Sequence, residues 1–157
     1  MSSSKKTLFL GIGNPILSDD SIGHRLADEV KTSGLFPNAV FEKVSVGGLE
    51  ILEIVVGYER VIFFDAIRSG KGKPGDVYFF KEEDFRETLN LSNLHDISFL
   101  TAFELGRKLE LQVPKEMHIV AVEILEDKEF SAELTEPLKK RYPEIVREVL
   151  EFVKSLK

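Results

Sequence analysis

Three short segments of this chain carry residue types that do chemistry. Asp19 and Asp20 end the run Gly11-Ile12-Gly13-Asn14-Pro15-Ile16-Leu17-Ser18-Asp19-Asp20, Asp65 closes the apolar stretch Arg60–Phe64, and His95 sits in Leu94-His95-Asp96. Two carboxylates and one imidazole that meet at strand ends can ligate a divalent ion. Such oxygen and nitrogen donors suit nickel, zinc, cobalt or manganese and do not distinguish them. Each residue also has a plainer use. Asp19 is placed to cap a helix, and Asp20 falls in the first turn, where a carboxylate favours the helix dipole. His95 precedes a helical stretch and can cap it or face solvent. Asp65 stands apart, because a carboxylate behind so apolar a run is costly to bury unpaired, which points to function. His24 falls on the polar side of a helix and is expected to be solvated. His118 opens a strand and reads as an edge residue.

Other catalytic templates fail. The chain has 0 Cys, which excludes disulfides, thiolate metal sites and a cysteine nucleophile, and fits a reducing compartment. The 3 histidines lack the His-Glu-x-x-His spacing, and neither a Gly-x-Ser-x-Gly elbow nor a Gly-x-x-x-x-Gly-Lys-Ser/Thr phosphate loop is present. Gly11-x-Gly13 opens like a dinucleotide fingerprint, but Ile16 holds the third glycine position and Pro15 interrupts the turn. A net charge of -6 repels phosphate backbones, so duplex nucleic acid is not an expected partner.

These residues need a scaffold, and the pattern alternates strand-like and helix-like segments. Thr7–Ile12 reads as a buried first strand. The helix after it has Ile22, Leu26 and Val30 on its apolar face and ends at Gly34. Ala39–Val46 reads as a second strand, and 48–56 as a helix with Leu49, Leu52 and Val56 inward, closed by Gly57. Arg60–Phe64 reads as a third, central strand. Asp76–Phe80 reads as a fourth, antiparallel to its predecessor, because the loop 66–75 is too short and too glycine-rich for a crossover helix. Asp96–Leu111 reads as a helix with Phe99, Leu100 and Phe103 inward, and His118–Ile124 as a fifth strand. The last helix carries Tyr142, Ile145, Val149, Phe152 and Leu156, with Pro143 in its first turn and Thr135–Lys140 as a separate short turn. The expected fold is a three-layer α/β/α domain over residues 7–157, with a mostly parallel, roughly five-stranded twisted sheet, one strand antiparallel, and helices on both faces. In such sheets function sits at the carboxyl ends of the strands. Residues 1–6 are polar and expected to fray. The apolar run behind them is too short for a signal peptide or a membrane span, so a cytoplasmic protein is expected.

The motifs resemble those of the hydrogenase maturation endopeptidases, the nickel-dependent C-terminal processing peptidases. Gly11 to Gly23 is similar to that family's first signature, Gly57-Tyr58-Glu59-Arg60-Val61-Ile62-Phe63-Phe64-Asp65-Ala66 to its second, and Leu94 to Leu100 to its third. Ala121-Val122-Glu123-Ile124, Glu133-Leu134-Thr135 and Pro143 match its tail. The resemblance implies three metal-binding positions, Asp20, Asp65 and His95. It implies a nickel ion supplied by the substrate, which is the precursor of a nickel–iron hydrogenase large subunit that loses a C-terminal peptide. It leaves the base that activates water open between Asp65 and Asp19. Many members carry Asp-Gly-x-Thr after the second strand, a segment tied to substrate choice. Here Ser45, Val46, Gly47 and Gly48 occupy that region, without the Asp or the Thr. Alternatives remain: a peptidase of this fold with another protein substrate, a nucleotide-binding module using the Gly11–Ser18 loop, or a metal-bearing binding protein without cleavage.

Overall fold

Thr7–Ile12 is buried at all six positions and forms strand β1 with the expected bounds. In the computed structural model, which describes residues 5–45, 49–87 and 102–157, a short 3-10 turn (Ser18–Ser21) follows and leads into α1 (Ile22–Ser33). Ile22, Leu26 and Val30 are its buried face, and Gly34 stops it in the left-handed conformation at φ 74. Then come β2 (Val40–Val44), α2 (Leu49–Val55), β3 (Arg60–Ile67), β4 (Val77–Lys81), α3 (Glu82–Glu87), α4 (102–108), β5 (Glu116–Glu123) and α5 (Glu136–Ser155).

The sheet order is β2-β1-β3-β5-β4. β3 is central as expected, buried at every position. β2, β1, β3 and β5 run parallel, and β4 pairs antiparallel. Strand periodicity divides the core in two. Phe9, Ile62, Phe64, Val120 and Val122 face one side, where they pack with α1 and α5 residues such as Leu26, Val30, Ile145 and Val149. Leu8, Leu10, Val61, Phe63 and Ile119 face the other, against Ile51 and Val55 of α2 and Phe103 of α4. Helices on both faces explain why the parallel strands read as continuous apolar runs.

Four expectations change. β4 runs antiparallel, but along β5 rather than β3. Its connection steps over the end of β5, where Gly75 donates its N–H to the Glu123 carbonyl at 2.7 Å and Glu123 donates to Asp76 at 2.8 Å. β5 therefore lies inside the sheet, so His118 is not an edge residue; it is 7% exposed. In α2 Ile51 and Val55 are buried with the expected Leu52, and Val56 is only half-buried; the Leu49 side chain lies outside the described residues. The last helix starts at Glu136 and not near Tyr142, so Thr135–Lys140 is no separate turn and Pro143 is internal. Leu138 is fully buried and extends the apolar stripe a turn earlier. That burial, about 2 kcal/mol, offsets much of the roughly 3 kcal/mol that an internal proline costs a helix. Phe99 and Leu100 lie outside the described residues. Of the polar start, Lys6 bonds to Glu59 and Arg60 through its carbonyl. Among the described residues, no helix is long and apolar enough to cross a membrane.

Candidate functional site

The site is built where β1 ends beside β3, which runs on to Ile67. Their register pairs Gly11 with Phe64, so the chain leaves β1 one residue beyond the level of Phe64 and Asp65 follows at the same edge. Asp65 is 4% exposed, lies level with Ala121 of β5, and its Oδ1 accepts the N–H of Ala66 at 2.8 Å. The start of α1 is pressed against these strand ends. A Cβ on Gly23 would overlap the carbonyl oxygens of both Ile12 and Phe64, so only glycine lets the helix dock this closely.

That docking delivers Asp20. Its backbone N–H donates to Leu17 at 3.1 Å, and its Oδ2 accepts the N–H of Asn14 at 2.8 Å. Gly13, at φ 145, faces it so closely that any Cβ there would strike the Asp20 carbonyl. The Gly-x-Gly-Asn signature thus acts as a close-packing device that holds an acid. Asp65 lies inside β3, one residue beyond the level of Gly11 in β1, and Asp20 lies in the 3-10 turn that follows β1. His95 lies outside the described residues, and among the described residues no three His, Asp or Glu side chains are grouped to hold a metal.

Asp19 has a different job from capping. Neither the 3-10 turn nor α1 has a side-chain cap. Asp19 is fully buried and reaches across to the segment between β5 and α5. Its Oδ2 accepts the N–H groups of Leu125 and Glu126, both at 3.1 Å, and its Oδ1 accepts the N–H of Thr135 at 2.7 Å. The Thr135 hydroxyl donates to the same carboxylate at 2.8 Å. Asp19 therefore clamps loop 124–135 onto the signature. Sequence spacing does not reveal a clamp between residues more than a hundred positions apart.

Of the segment that the family resemblance ties to substrate choice, Ser45 is placed. The Ser45 hydroxyl donates to the Gly13 carbonyl at 2.8 Å, tying the end of β2 to the signature loop, while Val46, Gly47 and Gly48 lie outside the described residues. His24 is not free in solvent: its Nε2 lies 2.9 Å from the Val44 carbonyl, which also accepts the N–H of Gly13. Glu123 has no role in the sequence reading, yet it is 3% exposed at the same edge. It accepts the N–H of Ser69 at 2.9 Å, the Ser69 hydroxyl, and the Tyr78 hydroxyl at 3.1 Å. Burial, more than the neighbouring acid, raises the Tyr78 phenol above its ordinary value, against the lowering effect of Ser69. The signal for Glu123 was an acid closing an apolar strand, the same pattern that marked Asp65.

A parallel α/β sheet with acids at the carboxyl ends of adjacent strands is a scaffold on which enzymes build their sites. The chain belongs to the hydrogenase maturation protease family, whose model matches residues 24–152; a protease is a peptidase and so a hydrolase. It is 32% identical over 81 residues to the hydrogenase 2 maturation protease of Escherichia coli (strain K12). That alignment spans 50% of this chain and 49% of the relative, about half of each. It is 26% identical over 156 residues to the hydrogenase expression/formation protein HoxM of Azotobacter vinelandii, covering 93% of this chain and 71% of that one. Its fold is similar to that of the hydrogenase maturating endopeptidase HybD from E. coli, with a TM-score of 0.76, 22% identity, and 96% and 93% of the two chains covered.

Proposed function

We propose that this chain is an endopeptidase that removes a C-terminal peptide from the nickel-loaded precursor of a nickel–iron hydrogenase large subunit, in the cytoplasm. The observation that supports this reading best is the docking of the turn that carries Asp20 against the end of β1 beside Asp65 of β3, in a chain of this family. The nickel belongs to the substrate. Asp20, Asp65 and His95 complete its coordination, with an oxygen and nitrogen donor set that suits a borderline divalent ion. The metal thereby acts as a recognition mark that brings the tail's scissile bond to the carboxyl edge of the sheet.

Cleavage adds water across the amide. The water oxygen bonds to the scissile carbonyl carbon, the C–N bond breaks, and the departing amine takes a proton. A carboxylate that removes the water's proton must have an open lone pair. The Asp19 oxygens already accept four donors, which counts against Asp19, and we assign the base's role to Asp65. Substrate choice rests with the segment after β2, Ser45, Val46, Gly47 and Gly48.

The test is to incubate the protein with nickel-loaded and nickel-free precursor from the same organism and read intact mass. Tail loss from the loaded form only, abolished in Asp65→Asn and His95→Ala, is the expected result. Equal cutting of both forms would remove nickel from the recognition step. Neither cutting nor binding of a native loaded precursor would overturn the reading.

A further inference from the structure

Among the described residues, seven large apolar side chains are exposed, and three of them, Ile16 (54%), Leu125 (49%) and Phe130 (81%), belong to the loop that precedes Asp20 and to the loop that Asp19 clamps. These segments are stitched together. Ser131 donates its N–H to the Ile16 carbonyl and Ser18 donates to the Ser131 carbonyl, both at 2.9 Å. Leu17 and Ser131 form a parallel bridge. Its register sets Phe130 beside Ile16, one step before the bridge. Leu125 is anchored at the far end of the loop by the Asp19 carboxylate.

A floppy loop would fold such side chains inward, but this loop is bonded along its length. Beyond the Asp19 clamp, the Glu126 carboxylate accepts the N–H groups of Lys128 at 2.7 Å and Glu129 at 2.9 Å, bonds that outweigh its desolvation and hold it below the ordinary carboxylate value. Arg68 pairs with Asp127 at 3.0 Å. A rigid support that holds an aromatic ring in water is what an interface anchor requires, since little ordering entropy remains to be lost on binding. The rim is acidic: Glu126, Asp127, Glu129 and Glu133 against Lys128 alone. Asp127 and Glu133 have cation partners, whereas among the described residues Glu129, next to Phe130, makes no ion pair.

We infer that Phe130, with Ile16 and Leu125, forms the docking surface for the protein substrate, receiving an apolar segment flanked by a basic residue next to the scissile tail. This rests on the proposed peptidase function and specifies how the substrate is held. Attachment to the candidate site selects the substrate over other occupants, because the loop is bonded to Ser18 and Asp19, directly beside Asp20 in the chain.

The test is steady-state cleavage of the nickel-loaded precursor by wild type, Phe130→Ser, Phe130→Leu and Glu129→Lys, with the melting temperature of each. The expected result is a KM raised about thirtyfold in Phe130→Ser, as for an interface anchor, with kcat nearly unchanged and the melting temperature unmoved. Phe130→Leu restores most of the affinity. Glu129→Lys raises KM about threefold at low salt and not at high salt. Wild-type cleavage with an unchanged KM in Phe130→Ser overturns the docking surface and leaves the peptidase reading standing. A wild-type dimer in sedimentation that Phe130→Ser converts to monomer, without a change in KM, assigns the patch to a second copy and also overturns it. A wild type that neither cuts nor binds the precursor removes both.

Discussion

The two ends of the sheet hold their acids in opposite ways. At the amino end, Glu116 pairs with Lys5, lies 3.7 Å from Arg60 and accepts from His118 at 2.7 Å. Arg60 in turn donates to Thr7 at 3.1 Å and to the Leu156 carbonyl at 2.7 Å. Charge there meets opposite charge, and the cluster locks the start of β1 to β3, β5 and the end of α5. At the carboxyl end, Asp19 and Glu123 are held by N–H and O–H donors, and Asp20 and Asp65 each accept a backbone N–H. Uncharged donors fix the Asp19 and Glu123 carboxylates in place without cancelling their charge, which adds negative potential at this edge. Under the proposed function, the same residue type is glue at one end and bait at the other.

Substitutions at the carboxyl end sharpen that contrast most. Asp65→Asn keeps the shape and removes the charge. We expect tail removal to fall by at least about 100-fold, beyond what outer-shell changes at metal sites cost, with the melting temperature unchanged or higher. Asp19→Ala should do the reverse. It removes the carboxylate that the part-buried N–H groups of Leu125, Glu126 and Thr135 share, and each hydrogen bond to a charged group contributes ~1.5–3 kcal/mol. A loss of about 3 kcal/mol or more in urea unfolding is expected, together with faster amide exchange in loop 124–135. If Asp19→Asn stays stable but is as inactive as Asp65→Asn, Asp19 is the base after all and the clamp is secondary.

Gly23→Ala probes how the acids are delivered. The added methyl meets backbone oxygens on two strands, which cannot rotate aside, so α1 must back away from the sheet. Overpacking of this kind costs ~1–3 kcal/mol, and the shift moves Asp20 relative to Asp65. Both stability and kcat should drop together. Retained activity would show that the close approach serves packing alone.

What the sequence made legible follows from where the information is stored. Apolar periodicity is local, so β1, α1 and the central place of β3 could be read directly from Thr7–Ile12, from Ile22/Leu26/Val30 and from Arg60–Phe64. Asp65 was visible as an acid directly behind the apolar run Arg60–Phe64, and Asp20 as an acid in the loop between β1 and α1. Contacts distant in the chain were not visible. Nothing local says that Asp19 bonds to Thr135 or that β4 lies along β5, since strand order is fixed by which edges remain open. The start of α5 was misplaced for a related reason: Pro143 is a strong local stop signal, and the burial of Leu138 that overrides it is tertiary.

The smallest expected effect tests the amino end alone. Burial pushes the Glu116 carboxyl up, but the hydrogen bonds from Lys5 and His118 and the charges of Lys5 and Arg60 outweigh it, leaving the group below its ordinary value of 4.5. A carboxylate whose folded value is depressed binds its proton less readily in the native state than in the unfolded one. Its contribution is therefore fully present above pH ~4.5 and is lost as pH falls through the folded value. Glu116→Gln should lower stability modestly at neutral pH, within the ~0–1 kcal/mol range of partly exposed pairs. It should also flatten the acid limb of the stability curve below pH ~4.5 relative to wild type. Tail removal at neutral pH should be unaffected, because the cluster lies at the far end of β5 from the candidate site. A Glu116→Gln protein of native stability that had lost cleavage would mean that the two ends are coupled through β3 and β5, and the division between glue and bait would fail.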